Sequence, residues 1–184
     1  MARDTTWVAL LRAVNVSGKN KLPMKDLASI FAEHGARDVR TYIQSGNVVF
    51  RAPRRAAERM RELVPLAIEA RFGHRPPLVL RTSRELEDAL GANPFLAEGC
   101  AEATLHVAFL DVAPTADALR AIDPNRSPGD RFALRGRDLY LHLPNGVGRS
   151  KLTNAYLERT LGATSTIRNW KTVQALAALC AGGG

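Results

Sequence analysis

Cysteine is scarce. The 184-residue chain holds only Cys100 and Cys180, far apart and outside any CxxC or Cys/His spacing, which argues against a disulfide scaffold or a structural zinc site and leaves two reduced thiols. Long apolar runs are missing as well: none reaches the ~18 residues a membrane helix needs. The apolar stretch from Trp7 is broken by Arg12 and enters a Lys- and Asn-rich loop, unlike a secretory signal. A cytoplasmic protein with no membrane partner is expected. Standard catalytic spacings are absent: no HExxH, no GxSxG, no cysteine with a recognisable partner, and no acidic pair that spacing alone defends. His34 and His74 read as a helix-end and a loop histidine. These absences name no reaction, metal or cofactor, and they shift the expectation away from an enzyme while leaving room for a site assembled by folding.

What is present is enough apolar material for a core, at 46% of residues, and a formal net charge of +8. A basic surface attracts polyanions without any dedicated site. The excess is uneven: residues 1–55 and 104–184 are net basic, and residues 56–103 are net acidic. Arginine outnumbers lysine 21 to 5, a bias that a GC-rich genome also produces. The charge therefore has two readings, a polyanionic partner or a solvated basic face.

The chain reads as β-α-β-β-α-β, twice over. Residues 6–13 (TWVALLRA) form a largely buried strand, and a polar loop (residues 15–21) leads to Pro23, favoured in a helix's first turn. Leu27, Ile30, Phe31 and His34 recur at helical spacing and Gly35 stops the helix. Val39, Thr41 and Ile43 alternate with polar residues up to Ser45-Gly46-Asn47, the turn of a hairpin that continues through Val48-Val49-Phe50. A longer helix, with a kink expected at Pro65, ends near Gly73 and precedes a strand at 77–80. A short helix around Leu86 and Leu90 and an irregular stretch at 91–103 follow. The order then repeats: strand 104–110, helix near 115–122, strands 131–135 and 138–143, helix 150–161, strand 164–168, and a closing helix with Val173, Leu176 and Leu179. The predicted fold class is α+β: two tandem ferredoxin-like units with mainly antiparallel sheets and a C-terminal helix, divided as 1–92, a connector 93–103, and 104–184. The repeat is one of element order, without sequence identity between the halves.

Right-handed crossovers place the loops. Residues 15–21 fall beside Ser45-Gly46-Asn47, while Pro144–Lys151 and Arg168–Lys171 share one end of the second sheet. Each half thus makes one polar corner.

The strings LLRAVNVSGKNKLPM, TYIQSGNVVF, NPF, LYLHLPNGVGRSKL and TIRNWKTV, in this order across nearly the whole chain, resemble the bacterial family known as domain of unknown function 1697. The resemblance implies paired ferredoxin-like units, an unassigned function, and signature residues at Asn15, Ser17, Lys19, Lys21, Gln44, Ser45, Gly46, Asn47, Gly148, Arg149, Ser150, Lys151, Arg168, Asn169 and Trp170. Ala13 departs from the glycine expected after the arginine, which should alter how closely the loop packs.

Three segments carry the chemistry. In Asn145–Lys151, two glycines permit close backbone approach, and Ser150 is a good N-cap for the helix carrying Leu152, Tyr156, Leu157 and Leu161. Free N–H groups there, with Arg149 and Lys151 beside them, would hold a phosphate or carboxylate. The spacing is neither a Walker A loop nor a dinucleotide fingerprint, and an ordinary strand-to-helix turn is the competing reading. Residues 15–21 make a second such place: Asn15, Ser17, Lys19, Asn20 and Lys21 precede a helix whose cap position, Leu22, is poor, with Gln44, Ser45 and Asn47 either lining the place or merely shaping the turn. Arg168, Asn169, Trp170 and Lys171 join a cation, a capping amide and an aromatic, although Trp170 serves equally well as a core anchor. A fainter signal places His106, Tyr140 and His142 on one open sheet face, where RNA-recognition motifs stack bases.

The leading expectation is a module that binds phosphate-bearing anions, nucleic acid first, through Lys19, Lys21, Arg149, Lys151, Arg168 and Lys171. Two alternatives stand beside it. One is an enzyme or sensor for a small phosphorylated metabolite, lined by Asn15, Ser17, Gln44, Ser45 and Asn47; the other is a structural or partner-binding protein without a ligand.

Overall fold

Residues 4–16 and 18–182 are described by a computed structural model. The first strand, β1 (Thr5–Leu11), is followed by α1 (Met24–Glu33), β2 (Arg37–Tyr42), β3 (Asn47–Ala52), α2 (Arg54–Phe72) and β4 (Leu78–Thr82). The strands lie in the order β2-β3-β1-β4 and every pairing is antiparallel. After α3 (Ser83–Gly91), the one-turn α4 (Pro94–Ala97) and a 3-10 turn at 102–104, the pattern repeats. It runs β5 (Leu105–Leu110), α5 (Ala116–Arg120), β6 (Arg131–Arg135), β7 (Asp138–His142), α6 (Asn154–Leu161) and β8 (Ser165–Asn169), and α7 (Trp170–Ala181) closes the chain. The second sheet has the matching order β6-β7-β5-β8, again antiparallel. This is the ferredoxin-like arrangement twice, because a right-handed crossover sets each unit's third strand between its first two. By internal contacts the chain forms one unit up to Glu87 that also takes in the segment from Leu176 onward, and a second unit from Asp88 to Ala175. The division falls within α3 and within α7.

Each unit lays its helices on one sheet face. In the first, Trp7, Ala9 and Leu11 of β1, with Val48 and Phe50 of β3, meet Leu27, Ile30 and Phe31 of α1 and Met60, Val64 and Ile68 of α2. The Phe31 and Phe50 rings lie 5.1 Å apart and tilted, and the Trp7 indole donates to the Ala52 carbonyl at 3.1 Å. The kink expected at Pro65 does not end α2: it runs through to Phe72 and stops at Gly73, whose φ of +75° is the left-handed conformation that glycine adopts without steric cost. In the second unit, Ala108, Leu110, Leu139 and Leu141 pack on Tyr156, Leu157 and Leu161 of α6.

The opposite sheet faces are buried too, with Val8, Leu10, Val49 and Val79 in the first unit and Leu105, Val107, Phe109 and Tyr140 in the second. This corrects the stacking face expected from the alternation. Leu105 pairs with His142 and Val107 with Tyr140, so these four share a face, while His106 lies opposite Leu141 and joins Ala108 and Leu110 on the helix side. Tyr140 is fully buried and donates its hydroxyl to the Ala89 carbonyl at 2.8 Å. His106 is buried as well, and burial lowers its pKa. No platform for bases remains there.

Candidate functional site

The first corner forms as predicted. The Leu11 N–H donates to the Gly46 carbonyl at 2.9 Å, which brings the hairpin turn against the end of β1. Gly46 has a φ of +74°, and a Cβ there would sit 2.9 Å from the Leu11 Cβ and 3.5 Å from the Val14 Cβ. The glycine is required by close approach of backbone, not by a ligand.

Asn15 is the clip that holds this corner. Its Nδ2 donates to the carbonyls of Leu22 and Gln44, both at 2.9 Å, and its Oδ1 accepts the Leu22 N–H at 2.8 Å. Asn20 donates to the Ala13 carbonyl at 2.9 Å and its own carbonyl accepts the Asn15 N–H at 3.1 Å. Asn47 is fully buried and donates to the Tyr42 carbonyl and the Ser45 hydroxyl. Asn15, Asn20 and Asn47 thus direct their amides at backbone and turn groups. Ser17 lies outside the described residues. Four non-glycine residues with positive φ meet at this corner: Ala13 (+59°), Asn15 (+54°), Asn20 (+52°) and Ile43 (+50°). The first explains why glycine is the residue expected at position 13, since the left-handed region costs an alanine about 1–2 kcal/mol. Lys19, Lys21 and the Gln44 side chain remain exposed. The helix they precede starts without a side-chain cap, at Pro23 rather than Leu22, and Asp26 occupies its first turn.

The second corner needs one correction. The helix expected from Ser150 starts at Asn154, and Thr153 is its N-cap, accepting the Tyr156 N–H at 3.3 Å. Ser150 instead accepts the N–H of Leu152 at 3.0 Å, two residues on. Three backbone donors of the loop are used within the protein: Gly146 N–H reaches the Leu143 carbonyl, Arg149 N–H the Gly146 carbonyl, and Lys151 N–H the Ser127 hydroxyl. Arg126 completes the brace, donating Nε to the Lys151 carbonyl at 3.0 Å with its guanidinium 3.9 Å from the centre of the Tyr156 ring. The sequence gives no local sign of these two bracing residues, since they lie more than twenty positions upstream.

Arg168 is also corrected. It is buried, donates to the Thr166 hydroxyl at 2.6 Å and the Ile167 carbonyl at 3.1 Å, and desolvation lowers its pKa to about 10. It is unavailable to a ligand at the surface. Its counterpart is Arg81. Each is the fourth residue of its unit's fourth strand, opposite Val8 or Val107 of the first strand; each is buried and donates to the preceding carbonyl. This internal correspondence is invisible in the sequences LVLRT and STIRN until the registers align them. Asn169 caps α7 as expected, accepting the Thr172 N–H at 2.8 Å, and Trp170 is a buried anchor.

Lys19, Lys21, Arg149, Lys151 and Lys171 are what stays available. All five are exposed, and none makes an ion pair or hydrogen bond through its side chain among the described residues. Many of the other basic side chains are neutralised: Arg37 by Asp4, Arg51 by Asp38, Arg54 by Glu58, Arg71 by Glu33 and Arg131 by Glu98. Among the described residues, no three His, Cys, Asp or Glu side chains gather to hold a metal ion, and no helix is long and apolar enough to cross a membrane.

A conserved bacterial protein from Streptococcus pneumoniae, SP0830, has a solved structure similar to this one, with a TM-score of 0.75 over 97% of this chain and 99% of that chain at 19% identity. That likeness is one of fold. No curated protein matches the chain in sequence. The family described as "Protein of unknown function (DUF1697)" matches residues 5–140, and with a match over that much of its length the chain belongs to this family.

Proposed function

We propose that this protein binds phosphate-bearing anions, nucleic acid first among them, through Lys19 and Lys21 at the first corner and Arg149, Lys151 and Lys171 at the second. The observation that carries this reading is that these five cations are exposed at the two corners and make no side-chain ion pair or hydrogen bond among the described residues. An unpaired surface cation breaks no ion pair when it meets a phosphate, and the contact releases condensed counter-ions from the polymer. The large hydrophobic side chains that are exposed are all aliphatic, so recognition rests on phosphates and carries little base readout. A small phosphorylated metabolite held by Asn15 and Asn47 is the weaker reading, because both amides are engaged with the corner's own atoms.

The test is fluorescence anisotropy with short single- and double-stranded RNA and DNA at two salt concentrations. Binding should persist at about 0.15 M salt, and the double variant Arg149→Ala/Lys151→Ala should reduce the log-log salt slope by about 1.5 while the melting temperature holds. Binding that vanishes at that salt, or that ignores both substitutions, would leave the charge as a solvated basic face.

A further inference from the structure

The second unit contains a cavity of about 520 Å³ lined by Glu102, Ala103, Asn169, Trp170, Lys171 and Gln174. That volume lies in the range of small-molecule sites. Among the described residues, three features of the residues that line it are unmatched by the protein. Lys171 has no ion pair although Glu102 lines the same cavity. The Glu102 carboxylate meets only the neutral Gln174 amide, at 3.3 Å to each oxygen. The Trp170 indole Nε1 is buried without an acceptor, in a residue 1% exposed. A buried N–H without a partner is uncommon in native structures and asks for an explanation.

We propose that this cavity is a binding site for a small dipolar molecule carrying an amine at one end and an anionic group at the other. Lys171 takes the carboxylate or phosphate. Glu102, held by Gln174, accepts from the amine. Trp170 and Ala103 supply the apolar wall between them, which gives the site the mixed lining typical of ligand pockets. Opposite charges held apart on one wall fit such a ligand better than a simple anion, which Glu102 would repel, or a simple amine, which Lys171 would repel. The chemistry is met by an amino acid or short peptide, and equally by a nucleoside monophosphate whose base bears an exocyclic amine. This site does not depend on the nucleic-acid reading.

The experiment is a two-dimensional 15N NMR titration of the full chain, following the indole N–H of Trp170, assigned from Trp170→Phe and distinct from that of Trp7. The probes are lysine, glutamine, a Gly-Leu dipeptide, AMP, CMP and UMP, with acetate, inorganic phosphate and ethylamine as single-ended controls. At least one dipolar probe should shift the Trp170 signal saturably with a Kd below about 1 mM. Glu102→Gln and Lys171→Ala should each weaken it about tenfold, the loss expected for a hydrogen bond to a charged group. AMP and CMP binding without UMP would assign the nucleotide source, and amino-acid or dipeptide binding the other. No saturable shift with any dipolar probe, equal binding of the single-ended controls, or indifference to both substitutions would overturn the proposal. Glu102→Gln removes an acidic group, so it should not weaken nucleic-acid binding, and the two readings fail separately.

Discussion

Replacing Asn15 with alanine tests whether this residue is a structural clip or a ligand contact. The substitution removes three side-chain hydrogen bonds, two donated by Nδ2 and one accepted by Oδ1. Leu22 is 1% exposed, so its N–H and carbonyl would lose a partner where water does not readily replace it. At about 1 kcal/mol net for each bond, the loss is about 3 kcal/mol. The left-handed φ of +54° at this position adds to it, because asparagine tolerates that region better than alanine. A change of this size should lower the melting temperature by about 6–12 °C. The assay is urea and thermal denaturation read by the fluorescence of Trp7, which belongs to the first unit, in a Trp170→Phe background. Measured there, Asn15→Ala should shift the Trp7 transition. A loss below about 0.5 kcal/mol, the range of unremarkable surface substitutions, would refute the clip, and weaker anion binding at unchanged stability would return Asn15 to the ligand.

Gly46→Ala should destabilise the first unit by about 2–4 kcal/mol in the same denaturation assay, from a Cβ 2.9 Å from that of Leu11 and a backbone in the left-handed region. The two thiols should separate under an aromatic disulfide reagent at neutral pH. Cys100 is half-buried with its Sγ 3.2 Å from the Arg131 guanidinium, whereas Cys180 is buried and its pKa is pushed up to about 11, so one equivalent should react quickly in the native protein and two after unfolding. His106 should contribute to acid sensitivity. Its folded pKa lies below the ordinary value, so the unfolded chain binds more protons, and stability is lost as pH falls through the unfolded value of about 6.5. Denaturation midpoints of the wild type and His106→Gln between about pH 7.5 and 5 should converge at the acid end; parallel curves would contradict this.

Much of the fold is legible because it is local. Apolar spacing at Leu27, Ile30 and Phe31 marks α1, Gly73 marks the end of α2, and Ser45-Gly46-Asn47 marks the hairpin, since each signal sits within a turn or two of the structure it specifies. The two polar corners also follow from element order, because the handedness of the crossovers decides which loops share a sheet end.

Tertiary structure decided what alternation could not. Every residue of β5 is buried, so a strand covered on both faces carries no pattern to say which way His106 points. Only its register with β7 does, and that pairing spans some thirty residues. The same holds for the candidate cations. Arg149 and Arg168 look alike in sequence, yet one lies on an exposed loop and the other in a strand buried on its sheet face. The roles of Asn15 and Asn47 depend on carbonyls that folding brings to them, at Gln44 and Tyr42. The sequence determined which elements form and which residue types crowd the loops. Whether a polar group faces solvent, a cavity or another part of the chain was decided by packing, because desolvation and hydrogen-bond partners are properties of neighbours distant along the chain.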